Sequence, residues 1–177
     1  PVNDAPVASG SASLGAILED TAASSISGAT VSSLFGSNFS DATDNSSGSS
    51  ANSFAGIAIT AYTADTSKGN WQYTTDGSTW TSIGTVSDSS ALTLGVGAND
   101  KLRFVPANNW NGTPPSLTVR LLDNSNGSVS SGATAVNVSS NGGSTAISSG
   151  TVNLSTSVTP VNDAPVASGS ASLGAIL

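Results

Sequence analysis

Apolar and β-branched residues alternate with Ser, Thr and Asn along most of the chain, in short runs closed by Gly, Asn or Asp. A two-residue period with such punctuation is the mark of half-buried strands. The runs predict strands over 56–64 (GIAITAYTA), 70–75, 79–84, 101–106, 116–122, 133–139 and 151–159, with an opening strand drawn from 7–18. Asp76-Gly77 lies between WQYTT and STWTSIG, and an Asp-Gly pair in which both residues accept positive φ predicts a two-residue hairpin. In TVSSLF, Val31, Leu34 and Phe35 fall on one face of a single helical turn, so a short helix is expected at 30–35 and almost none elsewhere. Seven or eight strands without helical periodicity predict an all-β fold, an antiparallel β-sandwich with Greek-key connections; a closed barrel is the alternative. Its core should draw on Leu34, Phe35, Phe39, Ile57, Ile59, Trp71, Tyr73, Trp80, Leu102, Phe104, Val105, Leu117, Val119, Leu121, Val136, Val152 and Leu154.

Residues 160–177 repeat residues 1–18 letter for letter, as PVNDAPVASGSASLGAIL, which sets a period of 159 residues. Chance does not give an eighteen-residue identity, so the sequence reads as one unit of a tandem array plus the opening of the next. The period far exceeds that of solenoids, and each unit is therefore expected to be an independent domain. The boundaries follow: a linker at 1–5, a sandwich module at 6–159, a second linker at 160–165, and at 166–177 the first strand of the next repeat, expected to be disordered or packed on another molecule.

Composition narrows the function. Charged residues are only 8% of the chain, and Lys68, Lys101, Arg103 and Arg120 stand against eleven carboxylates for a net charge of −7. Nucleic-acid binding needs a basic footprint that is absent here. With no His and no Cys, zinc, haem, iron–sulfur and thiol chemistry and every nucleophile–His arrangement are excluded, and no catalytic function is expected. No apolar run approaches the length of a membrane span, so no membrane insertion is expected either. Trp71, Tyr73, Trp80 and Trp110 would serve a sugar-binding platform if exposed, but alternation across a hairpin more often places such residues in the core or in cross-strand pairs.

Of the carboxylates, Asp4, Glu19, Asp20, Asp41, Asp44, Asp123 and Asp163 fall at predicted strand ends or in loops. Each alone reads first as a turn former. Together with amide side chains, such loops at the ends of a sandwich supply the oxygen donors that calcium prefers. Asp41 and Asp44 in DATDN could make a further local site, although their spacing is not that of an EF-hand.

PVNDAPV resembles the interdomain linker of cadherin-like repeats in large bacterial surface adhesins, and LTVRLLDNSNG resembles the penultimate strand and loop of cadherin domains. The longer stretch WQYTTDGSTW, VSDSSALTL and KLRFVPANNWNGTPPSLTVRLLD is similar to repeats of giant secreted adhesins of the repeats-in-toxin class. The resemblance implies an Ig-like or cadherin-like sandwich, its extra length taken up by an inserted hairpin region around Asp76-Gly77. It also implies calcium at the module junctions, held by Asn3, Asp4, Asn162 and Asp163 of the linkers, Glu19 with Asp20 after the first strand, and Asp123 closing the strand before the last. Strand rise places Asp4 and Glu19 at opposite ends of the domain. Glu19, Asp20, Asn162 and Asp163 would then meet at one junction, while Asp4 and Asp123 would face the other.

The function expected from this reading is that of a monomeric structural extender of a secreted, extracellular adhesin on a bacterial surface. Its partners are the neighbouring repeats of the same chain, and no small-molecule substrate is expected. The alternative is a carbohydrate- or surface-binding sandwich.

Overall fold

The computed structural model describes residues 2–172 and Gly174. The opening segment forms three two-residue strands, β1 (Val7–Ala8), β2 (Ala12–Ser13) and β3 (Ile17–Leu18). After a 3-10 turn come β4 (Ala29–Thr30), helix α1 (Val31–Phe35), β5 (Phe39–Ser40) and helix α2 (Ala42–Ser47). The body is built from β6 (Phe54–Ala61), β7 (Gly69–Thr74), β8 (Thr81–Ser82), β9 (Ala91–Gly95), β10 (Lys101–Pro106) and β11 (Leu117–Asp123). It is closed by β12 (Ala133–Val136), β13 (Val152–Ser155) and β14 (Val158–Thr159).

Two sheets make the sandwich, one ordered β4-β10-β7-β8 and the other β12-β9-β6-β11-β13-β2. β12 lies beyond β6 and β9 from its sequence neighbour β11, a Greek-key crossing. The fold is therefore all-β, and its principal sheets are antiparallel apart from the parallel edge pairing described below. Between the sheets Trp71, Leu102 and Phe104 meet Ile57, Ile59, Leu92, Leu94, Leu117, Val119 and Leu121 in one core. Trp71 and Phe104 pack edge to face with centroids 5.5 Å apart, and the Trp71 indole N–H donates to the Pro115 carbonyl at 2.8 Å.

The outer face of the six-stranded sheet is also covered. Ala58, Ala91, Leu122 and Val138 form a second cluster there, backed by Val129, Val136 and Ile147 from the long loops beside β12. That double burial explains why β6 reads as a nearly continuous apolar run, with Ile57 and Ile59 toward the large core and small Ala58 toward the loops. It also explains Gly56, where an added Cβ would lie 2.3 Å from the Leu94 carbonyl oxygen.

Several expectations are corrected. β9 was not foreseen, although all five of its residues are buried between β6 and β12. The expected helix forms as α1, with Thr30 capping it by accepting from the Ser33 N–H at 3.2 Å. α2 was not foreseen. Asp76-Gly77 does stand in a β7–β8 hairpin, but β7 and β8 pair only through Tyr73↔Thr81 and Gln72↔Ser82, so the connection is six residues long. Gly77 alone takes positive φ, while Asp76 organises the turn by accepting from the Ser78 and Thr79 N–H groups and the Thr74 hydroxyl. β7 itself pairs with β10 over six residues and is an interior strand of its sheet. Phe39, Tyr73, Trp80, Val105 and Val136 are half-buried at the edges of the core.

The pairing that positions the candidate site is parallel. β2 runs alongside β13 (Ala12↔Ser-free partner Leu154) and β3 alongside β14 (Ile17↔Val158). The first and last strands therefore point the same way, and the chain enters the sandwich at one end and leaves at the other.

Candidate metal centres at the two ends

At the entry end, β6 begins and β11 finishes: Asp123 is the register partner of Phe54. The linker arrives here too, with the Asp4 N–H donating to Asp44 Oδ1 at 2.7 Å and the Ala5 N–H to the Gly143 carbonyl at 2.7 Å. Asn52, just before β6, ties the group together. Its backbone N–H donates to Asp41 Oδ2, and its amide Nδ2 donates to Asp44 Oδ2 at 3.1 Å and to Asn3 Oδ1 at 2.6 Å. Asp41, Asp44 and Asp123 are 4%, 0% and 2% exposed. Asp44 is placed by α2, which Asp41 precedes as its N-terminal flanking residue, and the helix is closed by Gly48 in the left-handed conformation.

Two oxygens of this group, Asp41 Oδ1 and Asp123 Oδ2, are buried without any hydrogen-bond partner. The other Asp123 oxygen accepts from the Ser125 N–H at 2.8 Å and from its hydroxyl. Burial pushes the Asp41 carboxyl above its ordinary range; the Asn52 N–H opposes this, and the charges of Asp44 and Asp123 add to it. Buried carboxylate oxygens with no donor and with negative neighbours fit a hard cation. The sequence reading had kept Asp41 and Asp44 apart from Asp4 and Asp123, whereas the fold gathers all four at one end, with Asn3 and Asn52. Asn52 was missed; its signal was an amide eight residues beyond Asp44, just ahead of an apolar strand.

At the exit end, β3 and β14 finish together and the second linker begins. Glu19 is 6% exposed, and its Oε2 accepts from Asn111 Nδ2 at 2.9 Å and from the Val161 N–H at 3.4 Å. Asp20 takes a left-handed φ of 60° and accepts from the Asn109 N–H at 2.8 Å, Asn109 being itself left-handed at 54°. Glu19, Asp20 and Asp163 each bring one carboxylate oxygen within 4.8 Å of the others, a group that could hold a metal ion. Asn162 donates to the Asp163 carbonyl at 3.3 Å, as Asn3 does to the Asp4 carbonyl at 3.1 Å. The two copies of the linker thus share one local bond at opposite ends of the module.

No family model matches the chain, and no curated protein or solved structure is found similar to it. The ends must therefore be read from their own chemistry. The ion pairs among the described residues, Lys68–Asp65 at 3.2 Å and Arg120–Asp88 at 2.7 Å, use none of the seven carboxylates at the ends. The aromatic residues weighed for a sugar platform are placed otherwise. Trp71 is fully buried, Trp110 packs against the core, and Trp80 is half-buried with the Arg103 guanidinium 4.0 Å from its ring centroid. No helix among the described residues is long and apolar enough to cross a membrane.

Proposed function

We propose that this chain is a spacer module of a tandem array, a structural extender of a bacterial surface adhesin, whose junctions are stiffened by calcium. The observation that carries this reading is the parallel pairing of first and last strands, which sets two copies of one linker at opposite ends of one sandwich, each against acidic side chains. A binding module gains nothing from that arrangement. A spacer does, because reach then adds from module to module.

With a period of 159 residues, Asp163 is to the following module what Asp4 is to this one. One junction would therefore combine Glu19, Asp20, Asn162 and Asp163 with the following module's counterparts of Asp41, Asn52, Asp44 and Asp123. Calcium, which takes six to eight oxygen ligands, would supply charge neutralisation there and a cross-link between consecutive modules. Binding to the native state alone would raise stability by mass action and tie rigidity to a calcium-rich extracellular setting.

The test is thermal unfolding of this chain, and of a tandem chain carrying residues 1–159 twice, in EDTA and then in millimolar calcium, with magnesium as the specificity control. A calcium-specific rise in Tm, larger for the tandem chain, is expected. Equal Tm values in EDTA and calcium for both chains would refute the junction reading and favour a surface-binding module.

A further inference from the structure

The module's opening segment is seated on the sandwich by few and peripheral contacts. β2 is the edge strand of the six-stranded sheet, and β1 to β3 are each two residues long. Backbone bonds hold the segment from both sides: Leu14 N–H to the Ser155 carbonyl at 2.9 Å, Ile17 N–H to the Ser157 carbonyl at 2.9 Å, and Ser9 N–H to the Asn38 carbonyl at 3.0 Å. The Asn38 amide returns a bond to the Ser9 carbonyl at 2.7 Å. Ala12 and Leu14 fill the core beneath. Every one of these seats belongs to a sequence that the same chain carries a second time.

The second copy is in a different state. Residues 161–172 are exposed throughout and form no strand, with Val166, the counterpart of β1's Val7, 90% exposed. A segment identical to the occupant of an edge seat, held out in solvent, is a donor for that seat on another molecule.

We infer that residues 160–177 of one copy of this chain displace residues 1–18 of a second copy, adding in parallel to its β13 and β14 and joining the two head to tail. Donor and acceptor surfaces differ, so the contact is non-reciprocal, and repetition gives an open linear chain rather than a closed dimer. The two segments are chemically equal, and their competition is decided by tethering. If the resident segment has an effective concentration of about 1 mM, roughly 1% of seats are exchanged at about 10 µM chain and about half near 1 mM. The inference rests on the tandem-repeat part of the proposed function and not on calcium.

The test exploits the absence of cysteine. Ser155 is the register partner of Ser13, whose counterpart in the second copy is Ser172. A Ser155→Cys chain is mixed with a Ser172→Cys chain in EDTA, so that a failure of calcium binding is read separately, and oxidised at rising concentration. Parallel neighbours lie within disulfide reach, and the mixed disulfide is expected at about tenfold the yield given by a Ser168→Cys chain, whose counterpart Ser9 faces Asn38 instead. Ala171→Asp in the donor should abolish the cross-link, because Ala171 takes the buried place of Ala12, while leaving the donor's own Tm unchanged. Equal yields from Ser172→Cys and Ser168→Cys, or a cross-link that survives Ala171→Asp, would show random collision of an exposed tail and overturn the exchange.

Discussion

Replacing Asp123 by Asn should have opposite effects on stability with and without calcium. Asp123 is buried with one oxygen bonded to Ser125 and the other unpartnered, and its charge is felt at Asp41. Asparagine keeps the Oδ1 acceptor for Ser125 and removes the charge, placing a donor where neighbours such as Asp41 offer only acceptors. A buried unpartnered oxygen costs about 1–3 kcal/mol, so recovering about 1–2 kcal/mol of it is a fair expectation in EDTA. For a chain of this length that is a rise in Tm of about 2–8 °C. In calcium the same change removes a ligand charge. A site filled at a hundred times its Kd stabilises the wild type by about 2.7 kcal/mol, and losing most of that outweighs the gain. Differential scanning calorimetry of both proteins in EDTA and in calcium would therefore find the order of Tm reversed. If Asp123→Asn lowers Tm by the same amount in both media, Asp123 is only the cap of the Ser125 turn and the cation-site reasoning fails.

The pH dependence of the entry end has a definite sign. Because the folded pKa of Asp41 lies above the ordinary 3.8, its ionised form costs stability at neutral pH; in EDTA, stability should rise as pH falls through that raised value, with no further gain below the unfolded one, while calcium protection is lost over the same window in equilibrium unfolding titrations. Asp76 behaves in the opposite sense: donors from Thr79, Ser78 and Thr74 hold its carboxyl well below the usual range, so its contribution is present above the unfolded pKa and lost on acidification, and Asp76→Ala should lower Tm at pH 7 more than at pH 3. Leu94→Ala, which empties a fully buried place in β9, should cost about 2–5 kcal/mol in urea unfolding. Gly69→Ala meets the Val105 carbonyl oxygen at 2.2 Å with φ at +129°, and should cost more than about 1 kcal/mol by the same measurement.

The sandwich was legible because β6, β7, β10 and β11 carry their own patterns: WQYT and KLRF alternate cleanly, with Trp71 and Phe104 inward and Gln72 and Arg103 paired on the outer face through a 2.9 Å bond. β9 was not legible, because in ALTLG alternation is blurred when both faces are covered, with Ala91 under the outer loops and Leu92 and Leu94 in the main core. The opening strand was foreseen as one element and is three short pieces, since Gly10 at φ +74° and the irregular stretch at 14–16 interrupt it. Among the candidate ligands, grouping by linker and strand end placed Glu19, Asp20 and Asp163 together. What spacing could not reveal was that α2 and the end of β11 converge, because that depends on Asp123 reaching Phe54 across the sheet, a contact about seventy residues apart in sequence.

The division of labour among the eleven carboxylates gives the molecule its logic. Four serve the body, each with a local partner: Asp65 with Lys68 and Ser67, Asp76 in its turn, Asp88 with Arg120, and Asp100 accepting from the Gly97 N–H at 2.9 Å. Arginine is spent on the body as well. Arg103 donates to the Ala23 and Ile26 carbonyls at 2.7 and 3.0 Å, and Arg120 to the Ser148 and Ser149 carbonyls at 3.1 and 2.7 Å. Asp41, Asp44 and Asp123 are instead buried together at one end, and Glu19, Asp20 and Asp163 converge at the other. Natural sequences seldom bury like charges against each other without a counter-charge, since each costs desolvation and repulsion at once. Here the body folds around an apolar core that needs no ion, and the unfavourable electrostatics are confined to the places where the chain enters and leaves. A fold arranged in this way is stable as a unit and conditional at its joints, and that combination lets one ion govern the stiffness of an array without governing whether each module folds.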